Sequence, residues 1–452
     1  MIQQPLLVPP LLDLPAELVY HILTYLPSTS VANVSQACRL LRFYANDDRI
    51  WQPLVEENIP AARLTSPSPC RSFKELYAAH HPCWFVPRNK LWFSDSQYTG
   101  KLIIARYDPR RGCIEAYRLV AEHGDHTFEA WAWNPEVIIH TFAPKVQLWL
   151  DDPVLKLDLD SFGSSGGRTQ KEVHLETGSA AQDIYSVFLF ARQIPPSLQD
   201  DSMMLWPPRI LPATHRVTHD SRDHFRGSGH KPQTLAQMSD TTFRIRKWME
   251  FTSMGQPASV RMGEDVTTFS TLPEECYTPT KEKPWQGIWV GDYSGHGCEF
   301  LVVLQPGDGE RPPLSRASST SSSLSFVSAR MEMSGENANV AGEEQAVEED
   351  DEEDIYSGRL EAIKLTGDPN VPRGEYTFIA EDIGRRGLIR VAEEPTFRGA
   401  RVVKSVGHIA GRFFRDGKPV LRLPSGRTSS VLELIALYYR QIYPLTIDHD
   451  QP

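Results

Sequence analysis

The segment Leu11–Asn58 carries three short helices' worth of apolar pattern and too little of it to stand alone. It reads LLDLPAELVYHILTYLPSTSVANVSQACRLLRFYANDDRIWQPLVEEN. Pro15 suits a helix start, where its missing N–H is not needed, and Glu17 follows in the first turn, facing the positive end of the helix dipole. Leu18, Ile22, Leu23 and Leu26 fall at helical spacing before Pro27. A second set is Val31, Val34, Ala37, Cys38 and Leu41, and Asp47-Asp48 open a third helix with Ile50, Trp51, Leu54 and Val55. A unit of about 45 residues is marginal unless a metal, a disulfide or a partner supports it. The segment has no metal-ligand cluster, and Cys38 is its one cysteine. These helices are therefore expected to pack on a partner or on the rest of their own chain, and pattern alone leaves both open.

The segment resembles the F-box, the module that docks a substrate receptor onto the Skp adaptor of a cullin ubiquitin ligase. The matching positions are Leu14-Pro15, Glu17-Leu18, Ile22-Leu23, Leu26-Pro27, Val34-Ser35, Cys38-Arg39, Arg42 and Ile50-Trp51. Leu41 stands where the family often has Trp, and Thr29-Ser30 where it often has an acidic residue and Leu. The resemblance implies that Leu14, Pro15, Leu18, Ile22, Leu23 and Leu26 supply an apolar adaptor contact.

At 452 residues the chain has room for two or three domains. Its net charge of −11 is concentrated in Ala341–Asp354 (AGEEQAVEEDDEED), which holds nine acidic residues and no basic one, leaving the remainder near −2. Nothing suggests a basic nucleic-acid surface. The six cysteines are scattered without Cys-x-x-Cys spacing, which fits a reducing cytoplasmic or nuclear setting. The N-terminal MIQQPLLVPPLLDLP lacks a basic start and is broken by prolines, so it does not read as a signal peptide, and no apolar run is long enough to span a bilayer.

Residues 59–83 form a linker in which Ser72–Ala79 has helical spacing. From Trp84 the character turns to β: Leu91-Trp92-Phe93, then LIIARY and CIEAYRLV around Asp108-Pro109-Arg110-Arg111-Gly112, then Glu136–Phe142, Val146–Leu150 and Asp183–Phe190. Asp151–Gly178 is expected as a loop and 200–240 as a flexible insertion. The insertion's His215, His219, His224 and His230 lack the spacing and the completing ligands of a metal site. Trp285–Leu304 holds two strands around the glycine-rich Tyr293-Ser294-Gly295-His296-Gly297. Residues 307–354, Ser-rich and then acidic, cannot bury enough apolar surface to offset their ordering entropy and are expected to be disordered. Strand patterns resume over 355–445: Arg359–Leu365, Glu375–Ala380, Leu388–Val391, Ala400–Val406 and Gly407–Phe414, with Pro419–Leu423 pairing back and a last helix at Ser430–Ile442.

Many short strands with frequent turns suggest an antiparallel barrel in residues 84–306 and 355–445. The expected class is therefore α+β: a three-helix F-box at 11–58, a helical linker, and a large β-barrel-like domain with disordered insertions. This second part resembles the C-terminal domain of F-box receptors that bind D-type cyclins. The motifs are Gly287-x-Trp289-x-Gly291-x-Tyr293-x-x-His296-Gly297, Ile363-Lys-Leu-Thr-Gly-Asp-Pro-Asn-Val-Pro-Arg-Gly374 and Gly407-His-Ile-Ala-Gly411.

Asp292, Ser294 and His296 match a hydrolytic triad by type, but residues two apart on a tight turn do not build the nucleophile–base–orienter chain. There is no phosphate loop or HExxH. No catalytic residue, metal or cofactor is expected. Tyr293, His296, Asp368, Asn370 and Arg373 are the candidate substrate-binding residues. Asp368-Pro369-Asn370 also reads as a plain turn. The resemblance implies a short target peptide, held for ubiquitination by proximity. The alternative is a β-barrel that binds a small ligand, with the helices as a structural cap.

Overall fold

The computed structural model describes residues 10–60, 63–130, 132, 138–163, 168–175, 184–219, 230–252, 259–293, 296–307, 356–395, 398–407 and 435–437. The expected disordered insertion lies outside these residues except for 307. So do His224, the expected pairing of Pro419–Leu423 with Gly411–Phe414, and most of the last helix.

The N-terminal helices are α1 (Ala16–Thr24), α2 (Ser28–Ala37), α3 (Arg39–Ala45) and α4 (Asp48–Glu56). The second apolar set is split in two, because Cys38 is extended (φ −156°, ψ 170°) and its sulfur accepts the Leu41 N–H at 3.4 Å to start α3. Asp47 caps α4 by accepting the Arg49 N–H at 2.9 Å. It also receives Tyr20 Oη from α1 at 2.8 Å.

Two further helices, α5 (Phe73–His80) and α6 (Phe85–Asn89), lead into the sheets. Residues 85–89, expected as the approach to a strand, are helical instead. The chain turns at Lys90 (φ 57°) before the first strand begins. Aromatic rings form a continuous path from the helices to the barrel: Trp51 lies 5.4 Å from Tyr77, Tyr77 6.3 Å from Trp84, and Trp84 5.4 Å from Tyr107. A single buried cluster runs from Val19 and Leu23 through Trp51, Leu76 and Trp84 to Phe190 and Phe269. The helices thus share one core with the barrel.

Strands β1 (Leu91–Ser94), β2 (Leu102–Asp108), β3 (Cys113–Glu122), β4 (His126–Ala130), β5 (Ile138–Phe142), β6 (Lys145–Trp149), β7 (Leu155–Leu157), β8 (Val173–Leu175) and β9 (Ile184–Arg192) precede the central insertion. Within it are β10 (Leu205–Trp206) and β11 (Val217–Thr218), followed by β12 (Met238–Thr252) and β13 (Ser259–Ser270). The main antiparallel sheet runs β6-β3-β2-β1-β13-β12-β9-β8, with β7 also paired to β3. β7 comes back beside β8 without a hydrogen-bonded ladder, so the sheet curls into a barrel-like wall. Asp151–Gly178, expected as a loop, contributes β7 and β8.

The interior is filled by Trp92, Phe162, Phe188, Phe190, Phe243 and Phe269, each at most 1 % exposed. The outer face is buried as well. Leu91, Phe93, Leu102 and Ile104 pack against a second sheet through Ile288, Phe300, Val302 and Ile363. Burial on both faces is why LWF and LIIA read as unbroken apolar runs.

That second sheet is β14 (Gly287–Asp292), β15 (Cys298–Leu304), β16 (Leu360–Lys364), β17 (Tyr376–Ala380) and β20 (Val406–Gly407), all antiparallel. A third sheet holds β18 (Leu388–Val391), β19 (Arg401–Val403) and β21 (Ile435–Leu437). β21 replaces part of the helix expected at Ser430–Ile442: its backbone pairs with β19, and this pairing overrides the local helical spacing. In the stretch expected as a flexible insertion, residues 200–219 instead bury Trp206, Leu211 and Val217 between the sheets.

Candidate functional site

Helix α1 divides the residues expected at the adaptor. Leu23 is 3 % exposed and belongs to the core, as does Val19 at 2 %. Leu14 and Leu26 pack partly against that core. Leu18 at 48 % and Ile22 at 41 % stay on the surface, and Pro15 is exposed with them. One helical face thus holds the fold while its neighbour shows apolar side chains to solvent. Tyr25 on this side, and Leu40 and Phe43 on α3, are exposed large apolar residues that the sequence pattern did not single out.

At the other end, three loops meet. The Thr366–Gly374 loop follows β16, residues 293–297 join β14 to β15, and residues 95–100 join β1 to β2. Asp368 folds the first loop: one carboxylate oxygen accepts the Asn370 N–H at 2.5 Å and the Val371 N–H at 3.1 Å. The other accepts Lys364 Nζ at 3.0 Å. Burial works to raise the Asp368 pKa, but the Lys364 bond and the two amides prevail and lower it. Asp368 is 5 % exposed and acts as the turn-former. Asn370 is half-buried, its Nδ2 2.7 Å from Nε2 of the exposed His296.

Beneath them Lys364 has no exposed side-chain surface. Its ammonium lies 2.5 Å from Glu299 Oε2 and 3.7 Å from the centre of the Tyr293 ring. Burial raises the Glu299 pKa to about 7 against the pull of Lys364. Tyr293, His296, Asp368 and Asn370 are thus brought together around a buried lysine flanked by two carboxylates.

Arg373, one of the candidate substrate-binding residues, is engaged inside the fold. It donates to Ser96 O at 3.0 Å and Asp95 O at 2.7 Å, and its guanidinium lies 4.5 Å from the Trp206 ring centre. Burial lowers its pKa. His219 Nδ1 lies 3.1 Å from Asp95 Oδ2, so the central insertion braces the same loop. Gly367 donates to Thr99 O at 2.7 Å, and a Cβ there would lie 2.5 Å from Arg373 N, so no side chain fits.

The triad-like residues have other neighbours. Asp292 Oδ2 is 2.6 Å from His123 Nδ1, and His296 is held by Asn370; Ser294 lies outside the described residues. His215 meets Asp240 at 3.1 Å, and among the described residues no cluster of His, Cys, Asp or Glu could hold a metal.

Sequence reading missed Lys364, Glu299, Asp95, Trp206 and His219. A signal was present for the first two. A lone Glu in CEFLVVL and a lone Lys in LEAIKL, on strands otherwise mostly apolar, need each other if both strands are buried. Asp95, Trp206 and His219 join the site only through tertiary contacts.

Residues 11–57 match the family described as F-box-like, and residues 269–426 match the family described as Cyclin D1 binding domain. No curated protein matches the chain. The helical core of α1–α4 falls within the first match, and β14–β20 with the Tyr293–Asn370 loops within the second. The chain thus carries an F-box-like domain at residues 11–57 and, at residues 269–426, a C-terminal region that matches the cyclin D1 binding domain family.

Proposed function

We propose that this chain is the substrate-recognition subunit of a Skp–cullin–F-box ubiquitin ligase. The surface of α1 and α3 docks the Skp adaptor, which in turn engages cullin. The loops around Asn370 and His296 hold a target protein, promoting its ubiquitination and degradation. The chain supplies no catalytic group: it raises the effective concentration of target beside the ubiquitin-charged enzyme. The cyclin D1 binding domain match makes cyclin D1 the first target to test.

The observation that carries this reading is the exposure of Leu18 and Ile22 on a helix whose other face buries Val19 and Leu23. Exposed apolar side chains clustered on one face mark a protein contact. The shared core from α1 to Phe269 adds a mechanical reason, because it fixes the distance between adaptor and target. The small-ligand alternative finds less support, since the barrel interior is occupied by Trp92 and five phenylalanines. Among the described residues no helix is long and apolar enough to cross a membrane.

The test is co-expression with the Skp adaptor and size-exclusion chromatography, followed by capture of cyclin D1 by the purified complex. Co-elution and capture support both halves of the reading. A chain that is folded yet elutes without adaptor removes the ligase half.

A further inference from the structure

Tyr98 has a backbone conformation that its side chain makes costly. Its φ is +63°, in the left-handed region where residues other than Gly, Asn and Asp are rare. The Thr99 N–H donates to Gln97 O at 2.8 Å, which closes a three-residue turn centred on Tyr98. With a positive φ at its centre, this is the rare and strained form of γ-turn. Among the described residues the other non-glycine residue with a positive φ is Lys90 (φ 57°, ψ −61°), where the chain reverses from helix α6 into β1.

The surrounding fold holds the strain in place. Tyr98 O accepts the Arg373 N–H at 2.9 Å, and Thr99 O accepts the Gly367 N–H at 2.7 Å. The Arg373 guanidinium bonds the carbonyls of Asp95 and Ser96 just before. The turn is thus stitched to both ends of the loop that carries Asn370. The Tyr98 side chain is 41 % exposed and makes no hydrogen bond or ring contact among the described residues. Glycine would take the same turn without strain. Strain kept at an exposed aromatic beside a binding loop points to use by a ligand.

We infer that Tyr98 is a specificity-determining contact of the target site, its ring receiving an apolar side chain of the captured segment beside the polar Asn370–His296 pair. This rests on the reading of those loops as the target site. Tyrosine suits such a contact because it offers a rigid, large surface at small entropic cost, and an apolar wall beside a few placed polar groups is the usual make-up of a specific site.

The experiment uses the full chain in complex with the Skp adaptor and cyclin D1 as probe. Three variants are compared with wild type for capture and for thermal stability: Tyr98→Gly, Tyr98→Asn and Tyr98→Phe. Glycine takes the turn without strain, asparagine is no worse placed there than tyrosine, and both lack the ring. Each is expected to melt at or above wild type while binding cyclin D1 about tenfold more weakly, and phenylalanine is expected to bind like wild type. Opposite signs for stability and binding are not produced by simple loss of structure. If the Gly and Asn variants both capture cyclin D1 as wild type does, Tyr98 is not a contact and this inference falls alone. If wild type captures no cyclin D1, the reading of the loops as a cyclin site falls, and the inference falls with it.

Discussion

Lys364 Nζ lies 2.5 Å from Glu299 Oε2, across two adjacent strands, with neither side chain more than 4 % exposed. Asp368 Oδ2 takes the other side of the ammonium at 3.0 Å. Three ionisable groups are therefore buried together under the loop that bears Asn370. Removing the lysine would leave two carboxylates facing each other without a cation.

Lys364→Met is expected to destabilise the protein by about 3–5 kcal/mol, because breaking a buried pair leaves uncompensated charge. The pH dependence carries a sign. Glu299 has its pKa raised to about 7, so it binds a proton more tightly folded than unfolded. Its stabilising contribution is fully present below its ordinary value of 4.5 and is lost as pH rises through about 7. Asp368 is lowered and acts oppositely: its contribution is present above its ordinary 3.8 and is lost as pH falls through its folded value. Chemical denaturation of wild type from pH 5 to pH 8 should show a decline that Glu299→Gln removes. An unchanged slope in the Gln variant would mean that Glu299 is not the group responsible.

Helix α1 allows a contrast between two leucines five residues apart. Leu23→Ala should cost about 2–5 kcal/mol, since Leu23 is 3 % exposed in the shared core. Leu18→Asp should leave the melting temperature nearly unchanged, because the side chain is 48 % exposed, yet abolish co-elution with the Skp adaptor. Size-exclusion chromatography and thermal melts of both variants decide this. Equal destabilisation by the two would mean that Leu18 also serves the core.

How far these features were legible depends on the distance over which each is encoded. Helix α1 could be read locally, because Leu18, Ile22, Leu23 and Leu26 repeat at helical spacing, but spacing did not separate Leu23 from Leu18. That division follows from where α3 and α4 pack on α1. Asp368 read as a turn residue from its neighbours alone, and its two amide bonds lie within three residues. Arg373 looked like a surface cation until Trp206 and the 95–100 loop, more than 150 residues away, enclosed it. The strand over Ile435–Leu437 was hidden for the same reason: its partner is β19, and the local pattern favours a helix.

At the surface of the loop cluster, Asn370→Ala and His296→Ala should reduce cyclin D1 capture with little change in stability. The two side chains meet at 2.7 Å, and this bond is at the surface, where its loss costs little. Asp368→Ala should do both: it frees the amides of Asn370 and Val371 and strips Lys364 of one partner. Calorimetry and capture assays on the three variants separate a group that touches target from one that shapes the loop. Capture unaffected by both surface changes would place the target contact elsewhere on the domain.

Trp84 tests whether helices and barrel behave as one body. Its Nε1 donates to Tyr77 O at 2.9 Å, and its ring bridges Tyr77 and Tyr107. Trp84→Ala removes a 3 % exposed side chain from that path and should cost about 3–5 kcal/mol. Because the core is continuous, the loss should appear in one cooperative transition that takes the F-box helices and β1–β13 together. Hydrogen exchange followed by mass spectrometry is the direct measurement. Equal loss of protection in α4, α5 and β2 fits a single unit that holds adaptor and target at fixed separation. Loss confined to α5 and β2, with α4 protected as before, would mean that the F-box folds on its own and swings about the linker.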